Sequence, residues 1–465
     1  MGVKPLLRDS RVLAGLAVPL ALTQLAQVAL TTTDTVLMGL LGTRELAAGG
    51  LAIVIFNQLR TMGVGLVTSV GNRIAAAAAR AEAAAADGAG EVRVVVRASM
   101  AVATLAGLAG AVLMLGIGQC LPLLGQDAEV AQPARNVLAA LAPGLLPCLW
   151  FQAVRQFTVG MRRPQALLRI TLASVVVNAV LDWALIHGTW GLPALGLPGI
   201  GVATSLVYLL SFLALYASAA RDPVLAPLLS CNPLGADRAT VRRLVALGVP
   251  VAATYGSEAG FFSLTALMAG TFGSAALAAH TAVNQLVYIV FQVAVGLSHA
   301  ASIHVSRELA LGNVPAARRV RNSALACGAA VMAGVACCYL AFPGLVLRPF
   351  LVPGAADGGR ALAIAGQLLF VVAVLQFFDC AQNIGVGLLR GLDDTKGGFR
   401  VTLVGYWLIG LPAALLFGYA AGLRTLGIWL GLLAGLATTA ALLLRRYAAG
   451  LRAHRPTIIG FSESN

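Results

Sequence analysis

Four carboxylates stand where the surrounding residues give no reason for them. Asp34, Asp182, Glu258 and Asp379 each fall inside a long stretch dominated by Ala, Val, Leu and Ile. An ionisable side chain at the centre of a bilayer costs roughly 2.5–3.5 kcal/mol on insertion scales, so each needs a use. Gln24, Gln27 and Thr31 precede Asp34 at spacings of three and four, which puts all four on one helical face. Asn178 lies one helical turn before Asp182 and shares its face. Two acids and an amide suit a shared proton or a hard cation such as Na⁺; a polar seam between helices is the competing reading. Glu258 and Asp379 fall at similar depth in separate stretches, so they are expected to attract a cation and titrate as a coupled pair. Gln376, Gln382 and Asn383 flank Asp379.

Two further features bear on a ligand. His280, Asn284, Tyr288 and Gln292 recur at successive spacings of four. This stripe could line a cleft, with Tyr288 against an organic cation, or form a hydrogen-bonded helix seam. Arg60 sits midway down its apolar stretch, too deep to snorkel easily. Pairing with an acid such as Asp34 is expected; if Arg60 instead faces a cleft unpaired, an anionic or zwitterionic substrate follows.

The elements that must hold these groups are membrane helices. The 465 residues are 59% hydrophobic and 11% charged, with a mean hydropathy of +0.87, whereas soluble domains carry about 25% charged residues. Apolar windows predict spans at 12–41, 46–76, 96–124, 133–157, 165–187, 197–220, 241–271, 275–303, 322–347, 360–389, 399–421 and 425–446. Only helices and closed barrels satisfy backbone groups in lipid, and the long runs are helical. The basic N-terminus (Lys4, Arg8, Arg11) precedes a stretch too long for a cleavable signal, so it reads as the first membrane helix.

The net charge of +14 is distributed by side of the membrane. One set of connections holds nearly all the arginines; the opposite set holds only Arg44, Arg135, Arg348, Arg360 and Arg424. The positive-inside bias then makes both termini cytoplasmic, in the cell inner (plasma) membrane. No basic stripe interleaved with aromatics points to nucleic acid. The seven Cys lack a C-x-x-C spacing and read as small core residues.

The chain also aligns with itself at a constant offset, Leu13 over Leu244, Pro19 over Pro250, Gly39 over Gly270, Gly160 over Gly391 and Arg169 over Arg400. This predicts an N-terminal six-helix lobe over 1–222, a cytoplasmic linker over 223–240, a C-terminal six-helix lobe over 241–450 and a disordered tail over 451–465. The expected fold is therefore an all-α integral membrane protein of about twelve transmembrane helices in two pseudo-symmetric lobes. An even number of spans per lobe makes the repeats parallel, about an axis along the membrane normal. Two facing lobes leave a cleft that can open to either side.

Enzyme and ATPase motifs are missing. The two lysines, Lys4 and Lys396, follow no G-x-x-x-x-G pattern, and no H-E-x-x-H or G-x-S-x-G motif occurs. Neither an enzyme activity nor a cofactor is expected.

In order along the chain stand "TTDTVLMG" (Thr32 to Gly39), "FQAVRQFTVG" (Phe151 to Gly160), "VVVNAVLDW" (Val175 to Trp183), "GIGVATS" (Gly199 to Ser205), "LAAHTAVNQ" (Leu277 to Gln285), "QFFDCAQ" (Gln376 to Gln382), "LLRGLDD" (Leu388 to Asp394) and "YWLIGLP" (Tyr406 to Pro412). With these motifs the chain resembles the multidrug and toxic compound extrusion (MATE) transporters, in particular their NorM-type branch. The resemblance implies a V-shaped pair of lobes working as a secondary antiporter. It would export cationic, amphipathic drugs or metabolites in exchange for Na⁺ or H⁺, as a monomer in the lipid bilayer. It makes Asp34, Asn178, Asp182 and Thr204 resemble the family's N-lobe cation site, and Glu258 and Asp379 its C-lobe acids. The residues Gln27, Thr31, Arg60, Asn284, Tyr288, Gln292, Gln376 and Asn383 are then expected along the substrate cleft. Leu375 departs from relatives that carry a Tyr one turn before Asp379. A flippase of lipid-linked saccharides, from the same superfamily, is the alternative; it would want several deep basic residues, and Arg60 is the main one.

Overall fold

The computed structural model describes residues 3–84, 89–124, 128–230, 232–351 and 358–453. Cys231 and the tail from 454 lie outside the described residues; the three tail residues before them, 451–453, are helical. The described residues form twelve long helical passes. They are α1 (Val3–Leu41), α2 (Thr43–Thr68, continuing as Val70–Ala84), α3 (Ala89–Cys120), α4 (Ala128–Gly160), α5 (Gln165–His187) and α6 (Leu197–Arg221). After a connection with two short 3₁₀ turns come α7 (Arg238–Gly270), α8 (Ser274–Ala310), α9 (Val314–Ala341), α10 (Gly358–Gly391), α11 (Thr395–Ala420) and α12 (Arg424–Ala453). Among the described residues there is no strand. Among the described residues, eleven passes are long and apolar enough to cross a bilayer. The twelfth, α7, is 33 residues long but carries Arg238, Arg242, Arg243 and Glu258. The Ala-rich run after Arg73 extends α2 as helix to Ala84.

Local chemistry sets the ends. Asp237 caps α7 by accepting from the Thr240 amide at 2.8 Å, and Asp394 caps α11 through Gly397 at 3.1 Å. Gly188 ends α5 with φ of 69°, a left-handed turn that costs glycine nothing. Inside α11 the stretch Val404–Gly410 is π-helical, with the Leu411 amide reaching back to the Tyr406 carbonyl just before Pro412. Such bulges re-aim side chains, and Tyr406 sits in this one.

The repeat seen in the sequence recurs in the contacts. Thr23 donates to the Pro19 carbonyl at 2.8 Å, and Thr254 repeats it on Pro250 at 2.9 Å; hydroxyl back-bonding beside a proline bends a helix. Between the repeats, α1 packs on α8 and α2 on α7. A Cβ on Gly65 of α2 would lie 2.7 Å from the Cα of Ala252, and one on Gly296 of α8 would lie 2.7 Å from that of Ala21. These two approaches occupy corresponding places in the repeats. Small residues let membrane helices pack backbone to backbone, because the gain there is van der Waals contact rather than expulsion of water.

The start of α1 and the end of α12 lie on one face. Asp9 pairs with Arg319 at 3.3 Å, while Tyr447 donates to the Ala317 carbonyl at 2.9 Å. On this face further bonds tie the repeats together. Arg73 meets Asp393 at 2.9 Å, Arg307 pairs with Glu82, and buried Asn72 donates to the Ser302 and Ser306 hydroxyls at 2.6 and 2.9 Å. The connection after α6 is also anchored there. Asp222 accepts from Arg163 at 2.8 Å and from the Val224 amide at 2.9 Å.

Candidate functional site

The first repeat brings Asp34 of α1, Asn178 and Asp182 of α5 and Thr204 of α6 into one buried cluster. The Asn178 amide uses both hydrogens, donating to Asp34 Oδ1 at 2.5 Å and to Asp182 Oδ2 at 2.6 Å. The Thr204 hydroxyl stands 3.5 Å from Asp34 Oδ2. No arginine or lysine pairs with either acid among the described residues. Asn178 Oδ1 and Asp182 Oδ1 are buried without a hydrogen-bond partner. Orphaned acceptors of this kind call for an explanation, and two carboxylates with a spare amide oxygen fit a proton or a hard monovalent cation.

The second repeat builds a different cluster. Tyr406 donates to Glu258 Oε1 at 3.1 Å, and Gln382 of α10 donates to the Tyr406 hydroxyl. Phe261, one turn along α7 from Glu258, stacks on the Tyr406 ring with centroids 5.1 Å apart and planes 6° apart. Asp379, 5% exposed, accepts from Asn383 at 3.2 Å and lies within electrostatic reach of Glu258. Leu375 is buried in the apolar core, and the phenol beside Glu258 is that of Tyr406 on α11. A small cavity opens next to Glu258, lined also by Tyr255, Ser298, His299, Asn383 and Arg390.

The other expected residues scatter. Gln27, Thr31 and Arg60 line a second small cavity in the first repeat. Arg60 does not pair with Asp34, contrary to expectation. Asp34 is already committed to Asn178, and the Arg60 Nε donates to Asn57 at 3.3 Å. The α8 stripe divides. His280 is buried beside Trp429 with both ring nitrogens unpartnered, and Gln292 turns toward Gln24 at 3.5 Å. Tyr288 is 43% exposed beside Phe291, and Asn284 is half-buried. A spacing of four overshoots one turn by about 40°, so four such residues fan out around the helix. Gln376 is buried, donates to the Met332 carbonyl at 3.1 Å and ties α10 to α9.

One group escaped sequence reasoning. Arg155 is 2% exposed, bonded through Nη1 to Gln152 at 3.1 Å and through Nη2 to Gln24 at 3.0 Å, while its Nε has no partner. Through Gln24 and Gln292 it joins the repeats at their centre. A charge in an apolar window was the available signal, the same one that marked Arg60.

Twelve helical passes in two repeats, each enclosing unpaired carboxylates, define a multi-pass membrane transporter. The family model MatE matches residues 19–184 and again 250–416, and the chain belongs to that family of transporters. It is 36% identical over 437 residues to "Probable multidrug resistance protein NorM" of Pseudomonas aeruginosa, covering 94% of this chain and 88% of that one. The protein of the same name from Bradyrhizobium diazoefficiens is 36% identical over 439 residues, covering 93% and 91%. Among solved structures, a MATE transporter in complex with MaL6 superposes with a TM-score of 0.86 at 17% identity, covering 96% of this chain and 97% of that one. An outward-facing multidrug resistance MATE transporter gives 0.84 at 17%, covering 96% of each.

Proposed function

We propose that the protein is a secondary antiporter that exports cationic or amphipathic organic molecules in exchange for Na⁺ or H⁺. The observation that carries this reading is two sets of carboxylates inside the helical bundle, buried Asp34 with buried Asp182 and half-buried Glu258 with buried Asp379, none of which has a basic partner among the described residues. Uncompensated acids in an apolar interior favour uptake of a proton or cation. The names of the relatives support multidrug export as the direction of work.

Exchange follows from alternating access of the two repeats. With the terminal face closed by Asn72, Arg73 and Arg307, ions enter from the opposite side. Their binding releases substrate and favours return; substrate from the terminal side then displaces them. Such coupling requires differential affinity between the two states. The arginine-rich terminal face is cytoplasmic on the positive-inside bias, so each inward charge contributes about 2.3 kcal/mol per 100 mV. The protein works as a monomer in the inner membrane.

The deciding measurement is reconstitution of the purified protein into liposomes with separately imposed Na⁺ and proton gradients, followed by efflux of a fluorescent organic cation. Efflux driven by one gradient and dissipating it identifies the ion. Ion flux without counter-transport means a channel, and movement of a lipid-linked saccharide instead means a flippase.

A further inference from the structure

Two buried arginines take no part in the carboxylate clusters or in the ion pairs of the terminal face. Arg390, near the terminal-face end of α10, is 3% exposed and forms no ion pair among the described residues. Its Nε is buried without a hydrogen-bond partner. Arg155 on α4 directs its terminal nitrogens to the neutral amides of Gln152 and Gln24, and its Nε is likewise unpartnered. Both charges lie within electrostatic reach of His299 on α8, which is 7% exposed and whose Nε2 also lacks a partner. The first repeat supplies one of these cations; the second supplies the other cation and the imidazole. A guanidinium taken out of water without a counterion is costly, and unpartnered buried donors call for an explanation.

Arg390 and His299 line one small cavity, walled by α7, α8 and α10 of the second repeat. It has room for about one water molecule, so nothing the size of an organic substrate enters it. Donors gather at the end nearer the terminal face, where the Arg390 guanidinium, the His299 imidazole and the Tyr255 hydroxyl line the wall. The polar neighbours are committed elsewhere. Ser298 donates to the Asn383 carbonyl at 2.6 Å, and the Asn383 amide donates to Asp379 at 2.9 and 3.2 Å. Glu258 lies at the other end of the cavity. It accepts from Tyr406, which accepts from Gln382, and Gln382 stands two turns of α10, about 12 Å, from Arg390.

We propose that the terminal-face end of this cavity binds a single chloride ion, held by Arg390 and His299 with the charge of Arg155 behind them. A guanidinium carries five donors and no acceptor, so its complement is an anion. The space excludes phosphate, sulfate and carboxylates, whereas chloride is only slightly larger than water. Bound there, the ion offsets the repulsion between Arg155 of the first repeat and Arg390 of the second, two cations brought together by closure of the terminal face. Chloride thereby stabilises the closed face. The inference does not depend on the export reading.

The test is the melting temperature of the purified full-length protein in detergent, titrated with choline chloride against choline gluconate at constant ionic strength. The expected result is a saturating rise with chloride and with bromide, and none with gluconate or sulfate. At roughly ten times the half-maximal chloride concentration, the folded-to-unfolded ratio rises about elevenfold. Arg390→Gln removes the chloride-dependent rise. His299→Asp, which fixes a carboxylate beside Arg390, also removes it and raises the melting temperature in gluconate. Arg445→Gln, at an exposed arginine of the same face, keeps the full rise. Crystals soaked in bromide are expected to show an anomalous peak within hydrogen-bond distance of Arg390, a readout that stands even where a variant fails to fold. Equal melting in chloride and gluconate, or no bromide peak at Arg390, overturns the proposal. So does a full chloride-dependent rise in Arg390→Gln, which would place the anion elsewhere.

Discussion

Gly65 of α2 faces the backbone of Ala252 on α7, so close that a Cβ at Gly65 would sit 2.8 Å from the Ala252 nitrogen. This approach, its counterpart, Gly296 on Ala21, and that of Gly248 on the Leu66 backbone are places where the repeats meet without side chains between them. Gly65→Leu is expected to wedge α2 from α7 and hold the terminal face open, giving a folded protein that no longer exchanges. Maleimide labelling of a cysteine placed at Ile303, buried against Gly71 at that seam, in a background lacking the native cysteines, checks this. Labelling should be faster in the Gly65→Leu protein; an unchanged rate would show that the contact does not control closure.

The acids make a second prediction. Glu258→Gln and Asp379→Asn are expected to abolish export while leaving membrane levels of the protein intact, because each keeps its shape and loses its charge. Asp34→Asn should do the same from the first repeat. Efflux of a fluorescent cation from everted vesicles, normalised to protein by immunoblot, gives the readout. Normal efflux in all three variants would sink the coupling role.

Tyr406 isolates one bond. Tyr406→Phe keeps the ring stacked on Phe261 and removes the hydroxyl that donates to Glu258 at 3.1 Å. A hydrogen bond to a charged acceptor is worth about 1.5–3 kcal/mol, or roughly ten- to hundredfold in an equilibrium constant. The concentration of coupling ion giving half-maximal efflux should shift by that order, with little change in thermal stability. A large stability loss with no shift would assign Tyr406 to packing alone.

Asp222 gives a pH prediction outside the membrane. Partial burial pushes its carboxyl up, but the Val224 amide, Arg163 and the Leu225 amide outweigh this and hold it below the usual carboxylate range. A carboxyl depressed in the folded state contributes stability above its unfolded pKa, and that contribution is lost as pH falls through the folded value. The melting temperature of the detergent-solubilised protein should therefore fall between about pH 4 and lower values, and less steeply in Asp222→Asn. Identical slopes would show that this anchor contributes nothing.

Much of the design was readable along the chain. Helix count follows from apolar length, and the grouping of Asn178 with Asp182 follows from a spacing of four. The doubling follows from an internal offset whose Pro19 and Pro250 reappear as matched helix bends. These are local properties, because lipid forces each span to satisfy its own backbone.

Tertiary packing decided the partners. Tyr406 reaches Glu258 from a helix nearly 150 residues away, aimed by a π-helical segment that no residue spacing announces. Arg60 stays unpaired because Asp34 is held by Asn178 and Thr204, and the even stripe from His280 to Gln292 fans out because 3.6 residues make a turn. Sequence spacing tells which residues share a face; which face meets which is settled only when helices distant in the chain close on one another.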